Sequence, residues 1–141
     1  MIVLDTDIVT HISYGKKEKL RQRIEEVEDN EELAISVITY MEVLQGRFES
    51  IKKAANENEL VAAMQHYTTS KQLVDSFQVL EVNKAAAQHF KEMIKRKKGP
   101  KIGRGDMLNA CIALAHDALL DTCNVKDYES VKGLRVENWA E

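Results

Sequence analysis

The sequence predicts an α/β fold with a mostly parallel sheet covered on both faces. Five short apolar runs (MIVLD, LAISVIT, FQVLEV, ALLDT and LRVENW) alternate with stretches of helical periodicity. That is the order produced by parallel strands joined through crossover helices. The first run is almost wholly apolar, as a strand buried on both faces requires. Four acids, Asp5, Glu42, Asp106 and Asp127, stand at or just beyond strand ends. A parallel sheet delivers such positions to one edge.

MIVLD is the first strand. THISY and then KKEKLRQRIEEVED read as helix, with Leu20, Ile24 and Val27 on one face. LAISVIT is the second strand, and a helix starts at Thr39 and runs to Phe48 with Met41, Val43 and Leu44 apolar and Gly46 loosening it. From Ile51 to Val74 the pattern is helical again, without a definable break. FQVLEV is the third strand. Asn83 is the N-cap of KAAAQHFKEMIKRKK, whose Ala86, Phe90, Met93 and Ile94 make an apolar stripe, and Gly99-Pro100 ends that helix. Asp106 opens MLNACIALAHD, with Met107, Cys111, Leu114 and Ala115 sharing a face. ALLDT and LRVENW supply the last two strands. There is no internal repeat, low-complexity tract or linker, so residues 1–141 are expected to form a single domain.

With 44% hydrophobic and 30% charged residues, the chain has the composition of a soluble globular protein. It holds no apolar run of 18 or more residues, so no membrane-spanning helix is expected. MIVLDTD lacks the basic and apolar regions of a secretory signal. Cys111 and Cys123 have no paired spacing, and Cys111 lies in an apolar helix as a small hydrophobe would. A reducing, cytoplasmic setting is expected.

The net charge of −3 and pI near 5.9 give no overall basic footprint for nucleic acid. The distribution is more telling. Residues 95–104, KRKKGPKIGR, gather Lys95, Arg96, Lys97, Lys98, Lys101 and Arg104 just before Asp106. Such a block is either a solvated helix end, favoured by the helix dipole, or a phosphate-binding strip beside an acidic site.

Each acid has a plain structural alternative. Asp5, Thr6 and Asp7 are all good N-caps, yet two acids within three residues of a buried strand exceed what a cap requires. Asp5 therefore reads as a metal ligand, with Asp7 either the cap or a supporting hydrogen-bonding group. Glu42, taken alone, reads first as the far end of a capping box begun at Thr39. Asp106 follows Gly105 at a helix start, where a capping role is natural. The Asn124–Asp127 spacing is that of an ordinary Asx turn. Together, however, converged carboxylates without a basic partner repel one another. They need protons or hard cations such as Mg²⁺ or Mn²⁺, which points to a metal-dependent hydrolase acting on phosphodiesters.

Other chemistries lack their motifs. No GxxxxGK[ST] or GxGxxG loop is present, nor an HExxH or CxxC pair. His11, His66, His89 and His116 are scattered, and no Ser, Cys or His sits in a nucleophile elbow. A receiver-like signalling domain would need an Asp at the end of a central third strand, and FQVLEV has none.

Three segments carry a family likeness: VLDTD, ISVITYMEVLQG, and IGRGDMLNACIALAHDALLDTCNVKDYESVKGLRVENW. They resemble PIN-domain proteins, and within them the VapC-type toxins of prokaryotic toxin–antitoxin modules. Residues 50 to 98 or so are helical but not diagnostic. The resemblance implies a three-layer α/β/α fold and a Mg²⁺- or Mn²⁺-dependent endoribonuclease. Its acids fall on Asp5, Glu42 and Asp106. The fourth falls at Asn124 or Asp127, and Asp127 is the one able to supply charge. Thr122 and Thr6 would support these acids by hydrogen bonds, with Asp7 and Asn124 beside them, while Lys97, Lys98, Lys101 and Arg104 would hold the RNA backbone. The resemblance further implies a homodimer and a tight complex with a small VapB-type antitoxin. The rivals are a PIN nuclease of RNA processing or decay without an antitoxin, and a non-catalytic RNA-binding relative. Asp117 stands where such proteins usually carry glycine. Asp121 puts a charge into a usually apolar strand and, if buried, needs a partner or a raised pKa.

Overall fold

The computed structural model describes residues 1–96 and 101–141. Its centre is β1 (Ile2–Leu4), which pairs in parallel with β2 (Leu33–Ser36) on one side and with β4 (Leu119–Asp121) on the other. β3 (Gln78–Leu80) and β5 (Arg135–Glu137) form the two edges, giving the all-parallel order β3-β2-β1-β4-β5. The chain thus builds outward from β1 in one direction and then restarts on its other side. The C-terminal ends of β1 and β4 flank this reversal, where open α/β sheets form their binding crevices.

Alternation along the strands separates two cores. Ile2, Leu4 and Ile35 pack with α1 (Thr6–Tyr14), α2 (Glu18–Val27), α3 (Val37–Lys52) and α4 (Glu57–Ser76) through Ile8, Val9, Leu20, Val43 and Val74. Val3, Ala34 and Leu120 face α5 (Lys84–Lys95) and α6 (Arg104–Ala115), where Ala86, Met93, Ala110 and Cys111 complete the second core. Helices on both faces make the expected three-layer arrangement.

Several boundaries differ from the sequence reading. The first helix begins at Thr6, because the Asp5 carboxylate accepts from the Thr6 N–H at 2.9 Å and turns the chain straight out of the strand. The second strand stops at Ser36, whose hydroxyl accepts from the Thr39 N–H at 3.0 Å. That cap starts the helix at Val37 and overrides the β-branched run Val37-Ile38-Thr39. The capping box from Thr39 to Glu42 does not form, because both residues already lie inside α3. Glu42 is therefore free for the groove. Asp106 is likewise not a cap, since α6 starts after Gly103.

The unresolved break in the 51–74 stretch falls between Lys52 and Glu57, with Asn56 capping α4. Ile94 is 52% exposed and leaves the stripe predicted for α5. Leu114 and Ala115 are only partly buried. The proposed stop at Gly99-Pro100, like Lys97 and Lys98, lies outside the described residues.

Asp117 adopts φ = 48°, the left-handed conformation that a glycine would take without strain. Its side chain is solvent-exposed and its contact with Arg135 is a loose 3.8 Å ion pair. The 2.6 Å bond from Arg135 goes to the Asp117 backbone carbonyl and survives substitution. Asp117→Gly is therefore expected to stabilise the protein by about 0.5–1 kcal/mol. A thermal melt no higher than that of the wild type would contradict this reading.

A candidate acidic metal site

An open cavity of ≈ 460 Å³ lies beyond the C-terminal ends of β1 and β4, lined by Asp5, Thr6, Asp7, Thr10, His11, Glu42, Asp106 and Asn124. Among the described residues no lysine or arginine lines it, and His11 is its single basic side chain. Three of the four predicted acids, from the end of β1, from α3 and from the first turn of α6, share this groove. Asp127 is solvent-exposed on the 3-10 turn Val125–Tyr128 and lines the adjoining depression with Asn124 and Lys126. Its charge nevertheless reaches Asp106.

Asp5 is the fixed point. It is 4% exposed and accepts four hydrogen bonds. Oδ1 takes the Thr6 N–H at 2.9 Å and the Asn109 amide at 2.8 Å. Oδ2 takes the Thr122 hydroxyl at 2.8 Å and the Tyr128 hydroxyl at 3.0 Å. Asn109 is itself held in place, accepting from the buried Ser36 hydroxyl and lying 3.4 Å from Thr39 Oγ1. The Thr6 hydroxyl is 3.1 Å from both Glu42 Oε1 and Thr39 Oγ1. A Cβ added to Gly105 would lie 3.6 Å from Glu42 Oε2, so Glu42 rests against the start of α6.

Asp7 joins a second set of contacts. Its Oδ2 accepts from the Cys123 N–H and the Asn124 amide, both at 3.1 Å, and lies 3.4 Å from the Thr122 hydroxyl. Its Oδ1 is buried and has no partner among the described residues. All four residues expected as hydrogen-bonding supports, Thr6, Asp7, Thr122 and Asn124, thus touch an acid of the groove or one another.

The electrostatics follow from crowding. Partial desolvation raises the Glu42 and Asp106 carboxyls above their ordinary range, and the Asp5 charge pushes both further, while the Thr6 hydroxyl opposes the shift at Glu42. Asp7 is raised by burial and then by Asp5. Burial and the two flanking carboxylates drive the Tyr128 hydroxyl far up, so it remains a donor. The groove is short of positive charge.

A hard divalent cation fits this donor set, which is all oxygen and includes an orphaned carboxylate oxygen on Asp7. Among the described residues no three His, Cys, Asp or Glu side chains form a closed cage. Mg²⁺ keeps several of its waters and needs only one or two protein carboxylates. Of the basic strip, Arg104 opens α6 with its guanidinium 4.9 Å from the Phe90 ring centroid, and Lys101 is exposed.

Tyr128, Asn109, Ser36 and Thr39 were not predicted from sequence. Asn109 did leave a signal, as a polar residue inside the otherwise apolar MLNACIALA. Tyr128 left none.

Comparison with known proteins extends these observations. The PIN domain family matches residues 2–133. Ribonuclease VapC1 of Haemophilus influenzae is 28% identical over 139 residues, covering 97% of this chain and 96% of its own length. The tRNA(fMet)-specific endonuclease VapC of Salmonella typhimurium is 25% identical over the same number of residues, again 97% of this chain and 96% of that protein. The solved structure of VapBC2 from Rickettsia felis, bound to a DNA fragment from their promoter, contains a chain that superposes with a TM-score of 0.83. The two share 25% identity, and the match covers 99% of each chain.

Proposed function

Because this chain belongs to the PIN-domain family, we propose that it is a metal-dependent endoribonuclease, the toxin of a VapBC-type toxin–antitoxin pair. The observation that carries the proposal is the groove: Asp5, Glu42 and Asp106 meet at the sheet reversal with no lysine or arginine lining it among the described residues. The relatives named for ribonuclease activity, matched along nearly their whole length, support the RNA-cleaving reading.

Asp5 and Asp106 would hold Mg²⁺ or Mn²⁺ directly, with Glu42 and Asp127 acting through water or at a second ion. When bound, the ion supplies Lewis-acid polarisation of a phosphodiester oxygen and makes the attacking water more acidic. The protein's own part is positioning. The Thr6 N–H, the Asn109 amide and the Thr122 hydroxyl hold the Asp5 carboxylate in one orientation before any ion is loaded. Glu42, exposed at the rim with one oxygen toward Thr6, can orient a water for in-line attack. Lys101 and Arg104, with Lys97 and Lys98, would grip phosphates rather than read bases. Unpaired or loop RNA is the expected substrate, because splayed bases leave the backbone accessible. The relative specific for a tRNA agrees with this class.

The partner proposal has its own support. The superposed chain is part of VapBC2, and another fold neighbour, VapBC-5 of Mycobacterium tuberculosis, is named as a member of the VapBC family of toxin–antitoxin systems. In this chain a cavity of ≈ 360 Å³ between α1 and α2, lined by Ile12, Leu20 and Ile24 among others, shares His11 with the acidic groove. An antitoxin segment lying there could send a basic side chain to the carboxylates, where a charge-assisted pair would relieve their repulsion. Exposed Met41 and Phe48 on α3 and Leu60, Val61 and Met64 on α4 support self-association as a homodimer.

A direct test is thermal melting with and without Mg²⁺. The raised pKa of Glu42, Asp106 and Asp7 means that protons favour the metal-free fold as pH falls and compete with the cation. Mg²⁺ at about 100 times its Kd is expected to add ~2.7 kcal/mol, several degrees of melting temperature. The gain should be larger at pH 8 than at pH 5, and EDTA should reverse it together with RNA cleavage. No shift at pH 8, or cleavage that survives EDTA, would overturn the metal-dependent reading.

A further inference from the structure

Among the described residues, Tyr128 is the one group in contact with both Asp5 and Asp106, and the functional reading gives it no role. Its side chain is 1% exposed, and its hydroxyl oxygen lies 3.0 Å from Asp5 Oδ2 and 3.2 Å from Asp106 Oδ1. A phenol carries one proton, and with both carboxylate oxygens in range that proton is shared between them as a three-centre bond. Asp5 already accepts from the Thr6 N–H, the Asn109 amide and the Thr122 hydroxyl. A carboxylate offers about four acceptor positions, and Tyr128 takes the last one on Asp5. With the proton turned to Asp106, that position opens.

We propose that the Tyr128 hydroxyl is a placeholder in the metal site. Its proton holds Asp5 and Asp106 together when no divalent cation is bound, and it yields the last acceptor position on Asp5 when one binds. This rests on the functional reading above and gives the site a built-in competitor. The ring is buried, so a phenylalanine in its place keeps the packing and removes only the hydroxyl.

The two consequences have opposite signs. Tyr128→Phe loses the clamp, so the metal-free protein should melt at a lower temperature. Cation binding in the variant no longer displaces a charge-assisted hydrogen bond, and it relieves more carboxylate repulsion. Affinity should therefore rise. A tyrosine with a merely structural role would lower the melting temperature and leave the cation's Kd where it was.

The experiment measures Mn²⁺ binding, by calorimetry and by the spin-resonance signal of free Mn²⁺, to wild type and Tyr128→Phe without RNA, alongside melts in EDTA. The expected result is a Kd about tenfold lower in the variant, the scale of one such hydrogen bond, with a lower melting temperature in EDTA. A Kd that is unchanged or higher, while the wild type binds Mn²⁺, overturns the placeholder and leaves the functional reading standing. A wild type that does not bind Mn²⁺ overturns both. If the variant is unfolded in EDTA, saturating Mn²⁺ should restore its folded circular dichroism, and failure to do so also counts against the proposal.

Discussion

Asp5→Asn is expected to lower RNA cleavage by at least about a thousandfold, ~4 kcal/mol of transition-state stabilisation, while leaving the fold in place. The substitution removes the charge of the most buried acid in the groove, the one from which Glu42, Asp106 and Asp7 all feel repulsion. Without it, a cation loses its best-held anionic ligand. The fold survives because an amide can serve the same four contacts. Its oxygen accepts from the Thr6 N–H and Asn109, and its NH₂ donates to the hydroxyls of Thr122 and Tyr128, which accept as readily as they donate. Removing one charge from the crowded set also lessens repulsion, so the melting temperature should hold or rise slightly. Cleavage at the wild-type rate by Asp5→Asn would remove Asp5 from the mechanism.

Asp121→Asn is expected to produce the largest gain in stability, and that gain should grow with pH. Asp121 lies in β4 with 0% exposure; Oδ1 accepts from the Trp139 N–H at 2.9 Å, and Oδ2 has no partner among the described residues. Burial first, then the charges of Asp7, Glu137 and Asp5, raise its pKa from 3.8 to about 7, with the Trp139 bond opposing. A raised folded-state pKa means that the native state binds the proton more tightly than the unfolded chain. The stabilisation is fully present below about pH 4, and it is lost as pH rises through about 7. Each pK unit is worth ~1.4 kcal/mol, so the loss across this window is on the order of a few kcal/mol. Asparagine keeps an acceptor for Trp139 and never ionises. Denaturant melts from pH 4 to 8 should show wild-type stability falling and the variant nearly flat across the contribution of this residue. Parallel curves for the two proteins would contradict a buried, proton-binding Asp121.

The order of elements along the chain was legible because apolar strands and amphipathic helices announce themselves locally, and Asp5 stood out because it lies where β1 hands over to α1, whereas Glu42 and Asp106 lie within α3 and α6. What stayed hidden depends on contacts between distant segments. Ser36 and Thr39 are both good caps in isolation. Ser36 acts as the cap, and its hydroxyl also donates to Asn109, 73 residues away. That choice decides whether Glu42 closes a helix end or faces the groove. Tyr128 reaches Asp5 across 123 residues and Asp106 across 22, separations at which no periodicity operates. Asp7 could be read from sequence as a cap or a support. The structure gives the cap to Asp5 and turns Asp7 toward Cys123 and Asn124. The burial of Asp121 was anticipated as a conditional, since a charge in an apolar strand must be paired or protonated, and protonation is the outcome its environment favours.

The measurement that bears most directly on the central claim is cleavage of a pool of cellular RNAs by purified protein freed of any antitoxin. It is run with Mg²⁺ or Mn²⁺, with EDTA, and with Asp5→Asn, and the product ends are mapped by sequencing. The account predicts discrete cuts in unpaired or loop regions that appear with metal and vanish in both controls. Folded protein that binds RNA but yields no cuts under any metal condition would contradict it, leaving the groove without the chemistry assigned to it.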